Sequence, residues 1–244
     1  MVIGATGEGK SVAALWLLSY ADFDIMPWII IDYKREALIA DIERSGAIVI
    51  YDDRRMPNKA FPEPPTDPGL YIVRPDPDQK EEVNNFLLQV WRNGNTGLFC
   101  DEAFMIPQKR PFKAYDSLLT QGRSLNCPMI MLYQRPVDMS QYATSQAEYW
   151  AVFRIRKKDD IDKANQYIGA AKGPKGELID VNYRLPRYYW LWYDVSEDDC
   201  CVMRPVPPPR VVLDVFRERL RPQEDEIEGN DEQASLPRPT LRLV

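Results

Sequence analysis

The sequence predicts an α/β fold, a mainly parallel sheet with helices on both faces, and three observations predict it. Several short runs are apolar at every position, which suits strands buried on both sides of a parallel sheet. Those runs alternate with stretches of helical character. A glycine-rich turn over 4–9 joins a strand stub to an apolar helix. The chain has 244 residues, 45% of them hydrophobic and 11% aromatic, enough to bury the core of one such domain; two full domains would be a squeeze.

Met1 to Ile3 is the strand stub. It is shorter than a central strand usually is, which leaves open whether that strand begins upstream of Met1. SVAALWLLSYA (11–21) follows as a buried helix. PWIIIDY (27–33), AIVIY (47–51), LYIVR (70–74) and GLFCDE (97–102) read as buried strands, with KEEVNNFLLQVWRNG (80–94) as a helix among them. Next come a helix around Tyr115 to Arg123, the strand MIMLY (129–133) and the strand EYWAVFRI (148–155). YYWLWYDV (188–195) is an aromatic strand placed at the sheet edge or in a terminal hairpin. The stretch 52–69 holds five prolines and little periodicity, so it is a loop insertion. Residues 1–204 therefore form one domain. From Pro205 the composition shifts to a proline-rich and acidic tail, 205–244, with a short amphipathic helix at 211–220 and a remainder expected to be disordered or partner-dependent.

Formal net charge is −6, and six acidic residues against Arg238 and Arg242 put most of it in 223–244. The balance excludes a protein that coats nucleic acid by overall charge, while local basic patches stay possible. Cys100, Cys127, Cys200 and Cys201 lack CxxC spacing, and the chain has no histidine, so free buried thiols in a reducing compartment are expected rather than a zinc site. No segment has the roughly 18–20 continuous apolar residues of a membrane span, and the start lacks signal-peptide character. The expectation is a soluble, cytoplasmic protein without a membrane span.

Gly4-Ala5-Thr6-Gly7-Glu8-Gly9-Lys10-Ser11 satisfies GxxxxGK[ST] in the strand–loop–helix context that its chemistry needs. Glycines let backbone N–H groups turn inward around phosphates, and the helix aims its positive end at them. With Val12, these residues form the candidate nucleotide-binding set. Lys10 would hold the β- and γ-phosphates, and the Ser11 hydroxyl would ligate Mg²⁺. Leu98-Phe99-Cys100-Asp101-Glu102 is an apolar strand ending in two carboxylates. Asp101 would hold Mg²⁺ through water, and Glu102 would act as general base. A lone Asp-Glu pair is commonplace; beside this loop it carries weight. Gln134 ends the strand MIMLY, where a neutral amide can sense the γ-phosphate or align water. Arg123, upstream on the preceding helix, suits either a finger entering a neighbour's site or a plain surface arginine.

In this order the residues resemble the FtsK–HerA superfamily of ring-forming, DNA-pumping P-loop NTPases. Ile29-Ile30-Ile31-Asp32-Tyr33-Lys34 resembles the family's second strand, departing at Tyr33 where a proline is usual. LFCDE matches the acidic motif, and GRSLNCPMIMLYQRP (122–136) resembles the stretch with an arginine, a turn, a strand and Gln-Arg-Pro. AVFRIRKKDDIDKANQYIG (151–169) is similar to the next strand and helix, so the resemblance covers about 1–169. It implies that Lys10, Ser11, Asp101, Glu102 and Gln134 take the roles above, that Arg123 acts in trans with Arg154 and Arg156 as rivals, and that Arg135 is either functional or structural.

A bare motor domain of this kind looks most like the genome-packaging ATPases of tailless, membrane-containing icosahedral viruses. The resemblance implies ATP and Mg²⁺ as cofactors and a homo-oligomeric ring, a hexamer by expectation. That ring would push double-stranded DNA, without reading its sequence, into a preformed capsid. It also implies a capsid-vertex or membrane-protein partner and a place in the host cytoplasm or at the virion vertex. Gln108 to Lys113 and Lys172 to Lys175 are the candidate DNA-contacting loops, since phosphate contacts need only Lys and Arg. Three alternatives are a zonula-occludens-toxin-like assembly ATPase of filamentous phages, a plasmid or chromosome DNA-transfer ATPase, and a nucleotide-gated interaction protein that DNA would not stimulate.

Overall fold

The computed structural model describes residues 1–108, 110–173 and 175–221; the expected disordered acidic tail, from 222 on, lies outside the described residues, as do Lys109 and Pro174 of the two basic loops. The chain opens with β1 (Val2–Ile3), α1 (Lys10–Leu18), β2 (Pro27–Ile31) and α2 (Ala37–Arg44). β3 (Ile48–Asp52), β4 (Gly69–Arg74), α3 (Lys80–Asn93) and β5 (Gly97–Cys100) follow. Then come α4 (Ala114–Gln121), β6 (Met129–Tyr133), α5 (Gln141–Ser145), β7 (Tyr149–Val152) and α6 (Lys158–Ala164). β8 (Ala171–Lys172) and β9 (Leu178–Ile179) form a separate small hairpin, and β10 (Trp190–Asp194), β11 (Asp199–Met203) and α7 (Pro209–Arg219) are the last of the described elements.

Among the described residues nine strands make one sheet in the order β11-β10-β7-β1-β6-β5-β2-β4-β3. From β7 to β3 every pairing is parallel, so all seven carboxyl ends share one edge of the sheet. Short as β1 is, it is paired on both sides, Val2 with Leu132 of β6 and with Ala151 of β7. The aromatic strand β10 runs antiparallel to β7 and turns back into β11, which takes the edge.

Side chains alternate across each strand, and the helices cover both faces. Ile29 and Ile31 of β2 join Phe86 and Val90 of α3 and Tyr115 and Leu118 of α4 on one face. Trp28 and Ile30 join Leu15 and Leu18 of α1, Ile42 of α2 and Phe216 of α7 on the other. Parallel neighbours are usually joined by a helical crossover, yet β3 and β4 are joined by the proline-rich loop. Phe61 anchors that loop, 4.7 Å from the Tyr51 ring and 5.7 Å from Phe86, with Pro64 buried beside it in the chain.

Several elements differ from expectation. α2 was not anticipated; its eight residues bury only Ile39 and Ile42, too short a period to stand out. α1 stops at Leu18 rather than continuing to Ala21, and Arg219 of α7 braces the turn that follows, donating to the carbonyls of Ser19 (2.6 Å) and Ala21 (2.8 Å). α4 ends at Gln121 with Gly122 as its cap, so Arg123 lies in the turn beyond the helix rather than on it. β5, β7 and β10 are shorter than their apolar runs because the residues at their ends turn away. α7 packs on α1 and α2, with Phe216 stacked at 6.3 Å from Phe23. Among the described residues no helix is long and apolar enough to cross a membrane.

Candidate nucleotide site

The site assembles at the carboxyl edge of β1, β6, β5 and β2, where an open parallel sheet places its ligands. The loop leaves β1 tightly against β7. Gly4 has φ +144°, and a Cβ there would lie 2.6 Å from the Cβ of Phe153, so only glycine fits without movement. The Ala5 N–H donates to the Arg154 carbonyl at 3.0 Å, tying the loop to the end of the neighbouring strand. Gly9, in the left-handed region, caps α1, whose first turn carries no acidic residue. A helix N-terminus with free N–H groups and no negative charge of its own favours an anion. Thr6 and Gly7 are exposed at the tip, Val12 is half-buried, and Lys10 is buried with its Nζ 3.2 Å from the Ala5 carbonyl. Burial pushes the Lys10 ammonium down to about 8, with Asp101 opposing that shift and Lys34 reinforcing it.

Opposite the loop, Asp101 and Glu102 follow β5 and are 6% and 3% exposed. Ser11 Oγ donates to Asp101 Oδ1 at 2.8 Å. Gln134 Nε2 donates to Glu102 Oε1 at 2.6 Å, and Thr6 Oγ1 donates to Gln134 Oε1 at 3.1 Å. Lys34 Nζ pairs with Glu102 and lies 3.6 Å from Asp101 Oδ2. Ser11, Asp101, Lys34, Glu102, Gln134 and Thr6 therefore form a continuous polar chain across the mouth of the site. Among the described residues, Asp101 Oδ2 and Glu102 Oε2 are buried without a hydrogen-bond donor. Orphan carboxylate oxygens beside a serine hydroxyl are hard donors of the kind a small divalent cation takes.

The structure thus brings together Gly4 to Val12, Asp101, Glu102 and Gln134. It holds Arg123 elsewhere. Arg123 pairs at 3.2 Å with Glu148, just ahead of β7 at the amino edge of the sheet, and its side chain is 91% exposed. Arg154 and Arg156 flank their own loop: Arg156 Nη2 donates to Glu8 Oε1 at 2.7 Å, with Arg154 at 3.9 Å. Arg135 donates to Asp160 Oδ2 at 3.3 Å, joining β6 to α6. Arg110 and Lys113 are exposed after the acidic pair, and Lys172 and Lys175 are exposed around the β8–β9 hairpin.

Lys34 received no chemical role from the sequence. Its signal was its place, shortly after β2 at the edge where ligands bind. Asp32, in the same motif, turns away to accept from Arg74 Nε at 2.9 Å. Beneath the loop runs an aromatic ladder: Phe153 stacks on Trp190 at 5.6 Å, Trp190 meets Trp192 edge-on at 5.9 Å, and Trp192 stacks on Tyr149 at 5.2 Å.

No family model matches the chain. It is 34% identical over 218 residues to the DNA packaging ATPase P9 of Enterobacteria phage PRD1, a match spanning 88% of this chain and 90% of that protein. Among solved structures it is similar to the genome packaging NTPase B204 of Sulfolobus turreted icosahedral virus 2 in complex with sulfate. The TM-score is 0.59 at 20% identity, over 84% of this chain and 95% of that one. The same protein in complex with ATP-gammaS gives 0.57 at 19% identity, over 84% and 96%. ATPases 2 and 3 of EssC from Geobacillus thermodenitrificans give 0.56 at 15% identity, over 90% of this chain and 43% of that one. These likenesses concern the fold.

Proposed function

This chain belongs to the viral genome-packaging ATPases of the FtsK–HerA superfamily, and we propose that it drives double-stranded DNA into a preformed capsid as a homo-oligomeric ring, a hexamer. The observation that carries the site assignment is the buried pair Asp101 and Glu102 joined to the phosphate loop through Ser11, Gln134 and Thr6. Its place at the start of α1 suits the β- and γ-phosphates of ATP, with Lys10 supplying the charge. The solved complexes of B204 with ATP-gammaS and AMPPCP support a nucleotide of this class.

Mg²⁺ fits the orphaned acidic oxygens, and Ser11 and Asp101 are its proposed holders; when bound it would neutralise charge on the phosphates. Glu102 takes a proton from the attacking water, and Gln134, already hydrogen-bonded to Glu102, aligns that water. Glu102 must first leave Lys34, whose ammonium is then free to face the phosphates. Arg123 is the proposed trans finger: it is exposed, far from its own loop, and free of the loop contacts that engage Arg154 and Arg156. The exposed basic residues of 108–113 and 172–175 are the proposed DNA contacts, and the packaging vertex is the proposed site of action.

ATP turnover with and without double-stranded DNA, together with native mass, tests this reading. A ring whose hydrolysis rises with DNA is expected. Glu102→Gln should cut turnover at least ~100-fold with nucleotide binding retained, and Lys10→Ala should remove binding itself. A monomer indifferent to DNA would sink the motor.

A further inference from the structure

The segment between α6 and β10 contains a residue that the phosphate chemistry does not use. Tyr188 has φ +67°, a left-handed backbone that a bulky side chain rarely adopts, and strain of that kind collects where a side chain must be aimed. Its ring is aimed at the phosphate loop. A Cβ added to Gly9, the residue that caps α1, would lie 3.0 Å from Tyr188 Cδ1 and 3.7 Å from Phe153 Cε1. One residue, Arg154, ties the segment to the loop, and Arg187 steadies the ring from within the segment. Arg154 Nη2 donates to the Leu185 carbonyl at 2.7 Å, the Arg154 carbonyl accepts from Ala5, and the Arg187 guanidinium lies over the Tyr188 ring at 4.7 Å from its centroid. Despite these contacts Tyr188 remains 42% exposed, so a second planar group can still reach it.

We propose that Tyr188, steadied by Arg187, is the platform on which the nucleotide base stacks. The proposal rests on the ATPase reading of the loop. Phosphates seated over the N-terminus of α1 put the ribose and base beyond the loop, and Tyr188 borders it on the side of β7 and β10. An aromatic face of this kind holds any base by its π-surface and reads its edge little. The site is therefore permissive between adenine and guanine nucleotides, and its contribution goes to binding rather than to the hydrolytic step.

The test is the full chain with Tyr188→Ala and Tyr188→Phe, assayed for KM and kcat with ATP and GTP and for inhibition by inorganic tripolyphosphate, which lacks a base. Tyr188→Ala should raise KM for both nucleotides about tenfold, leave kcat within twofold, and leave the inhibition constant of tripolyphosphate unchanged. Tyr188→Phe should behave as wild type. An equal loss for nucleotides and tripolyphosphate would show that Tyr188 only braces the loop, and unchanged KM would show that the base binds elsewhere; either outcome overturns the proposal. Wild-type protein without ATP turnover would instead count against the functional reading.

Discussion

Lys10 occupies a position that disfavours its own charge, and this makes nucleotide binding pH-dependent. Burial lowers its ammonium from 10.5 to about 8 in the free protein. Between about pH 8 and 10.5 the unfolded chain holds more protons at this position, so the group's contribution to folding stability rises with pH across that window. Binding has the opposite sign, because phosphates favour the charged form. Near pH 8.5, nucleotide binding should take up a proton, visible as a calorimetric heat that changes with the ionisation enthalpy of the buffer; Lys10→Ala should abolish the difference. Gly4 gives a second prediction. With φ +144° and Phe153 2.6 Å from an added Cβ, Gly4→Ala should lower stability by ~1–3 kcal/mol in denaturant unfolding. Both residues are legible in the sequence, since phosphate binding fixes glycine and lysine at set intervals. Tyr188 and the Glu8–Arg156 pair are not, because nothing local to them says that distant strands will meet there; Lys34 was marked by its place after β2, but not its pairing with Glu102.

The loop between β3 and β4 and the charged cluster beside it show how elements at the far side of the sheet are fixed. Arg74 Nε donates to Asp32 at 2.9 Å and its Nη1 donates to Glu43 at 2.6 Å, with Asp52 3.5 Å away. Arg35 approaches Asp52 at 3.4 Å and pairs with Asp53. Burial pushes the Asp52 and Glu43 carboxyls up, but Arg35, Arg55 and Arg74 outweigh it and hold both below their usual range. A depressed carboxyl stabilises above its unfolded pKa of about 4 and loses that contribution as pH falls through the folded value. The denaturation midpoint should therefore drop steeply from pH 5 to 3, and in Arg74→Met, less stable throughout, that acid loss should shrink. Phe61→Ala should cost about 1–3 kcal/mol, since the half-buried ring anchors the loop. β2, β4 and β5 were legible as unbroken apolar runs; AIVIY, read as buried too, is instead the edge strand β3, which pairs on one side only and leaves Ile48 52% exposed. α2 and the β8–β9 hairpin were not legible, one being short with two buried residues and the other having two residues per strand.

Across the whole molecule, the phosphate loop and Arg123 lie at opposite edges of one sheet. A head-to-tail interface, in which one subunit's amino edge meets its neighbour's carboxyl edge, closes into a ring where the rotation between subunits returns to the start. Mixing Arg123→Ala with Lys10→Ala subunits should then restore part of the lost hydrolysis, because some interfaces carry an intact loop beside an intact arginine. No recovery at any mixing ratio would count against a trans role. Between the two edges runs the ladder from Phe153, under Gly4 and Gly9, through Trp190 and Trp192 to Tyr149, beside Glu148 and its partner Arg123. The molecule thus carries its own optical probe. Phe153 links the loop to the two indoles of the ladder, so nucleotide binding should shift the intensity and wavelength of tryptophan emission in unlabelled protein. Trp190→Phe and Trp192→Phe would identify which indole carries the signal.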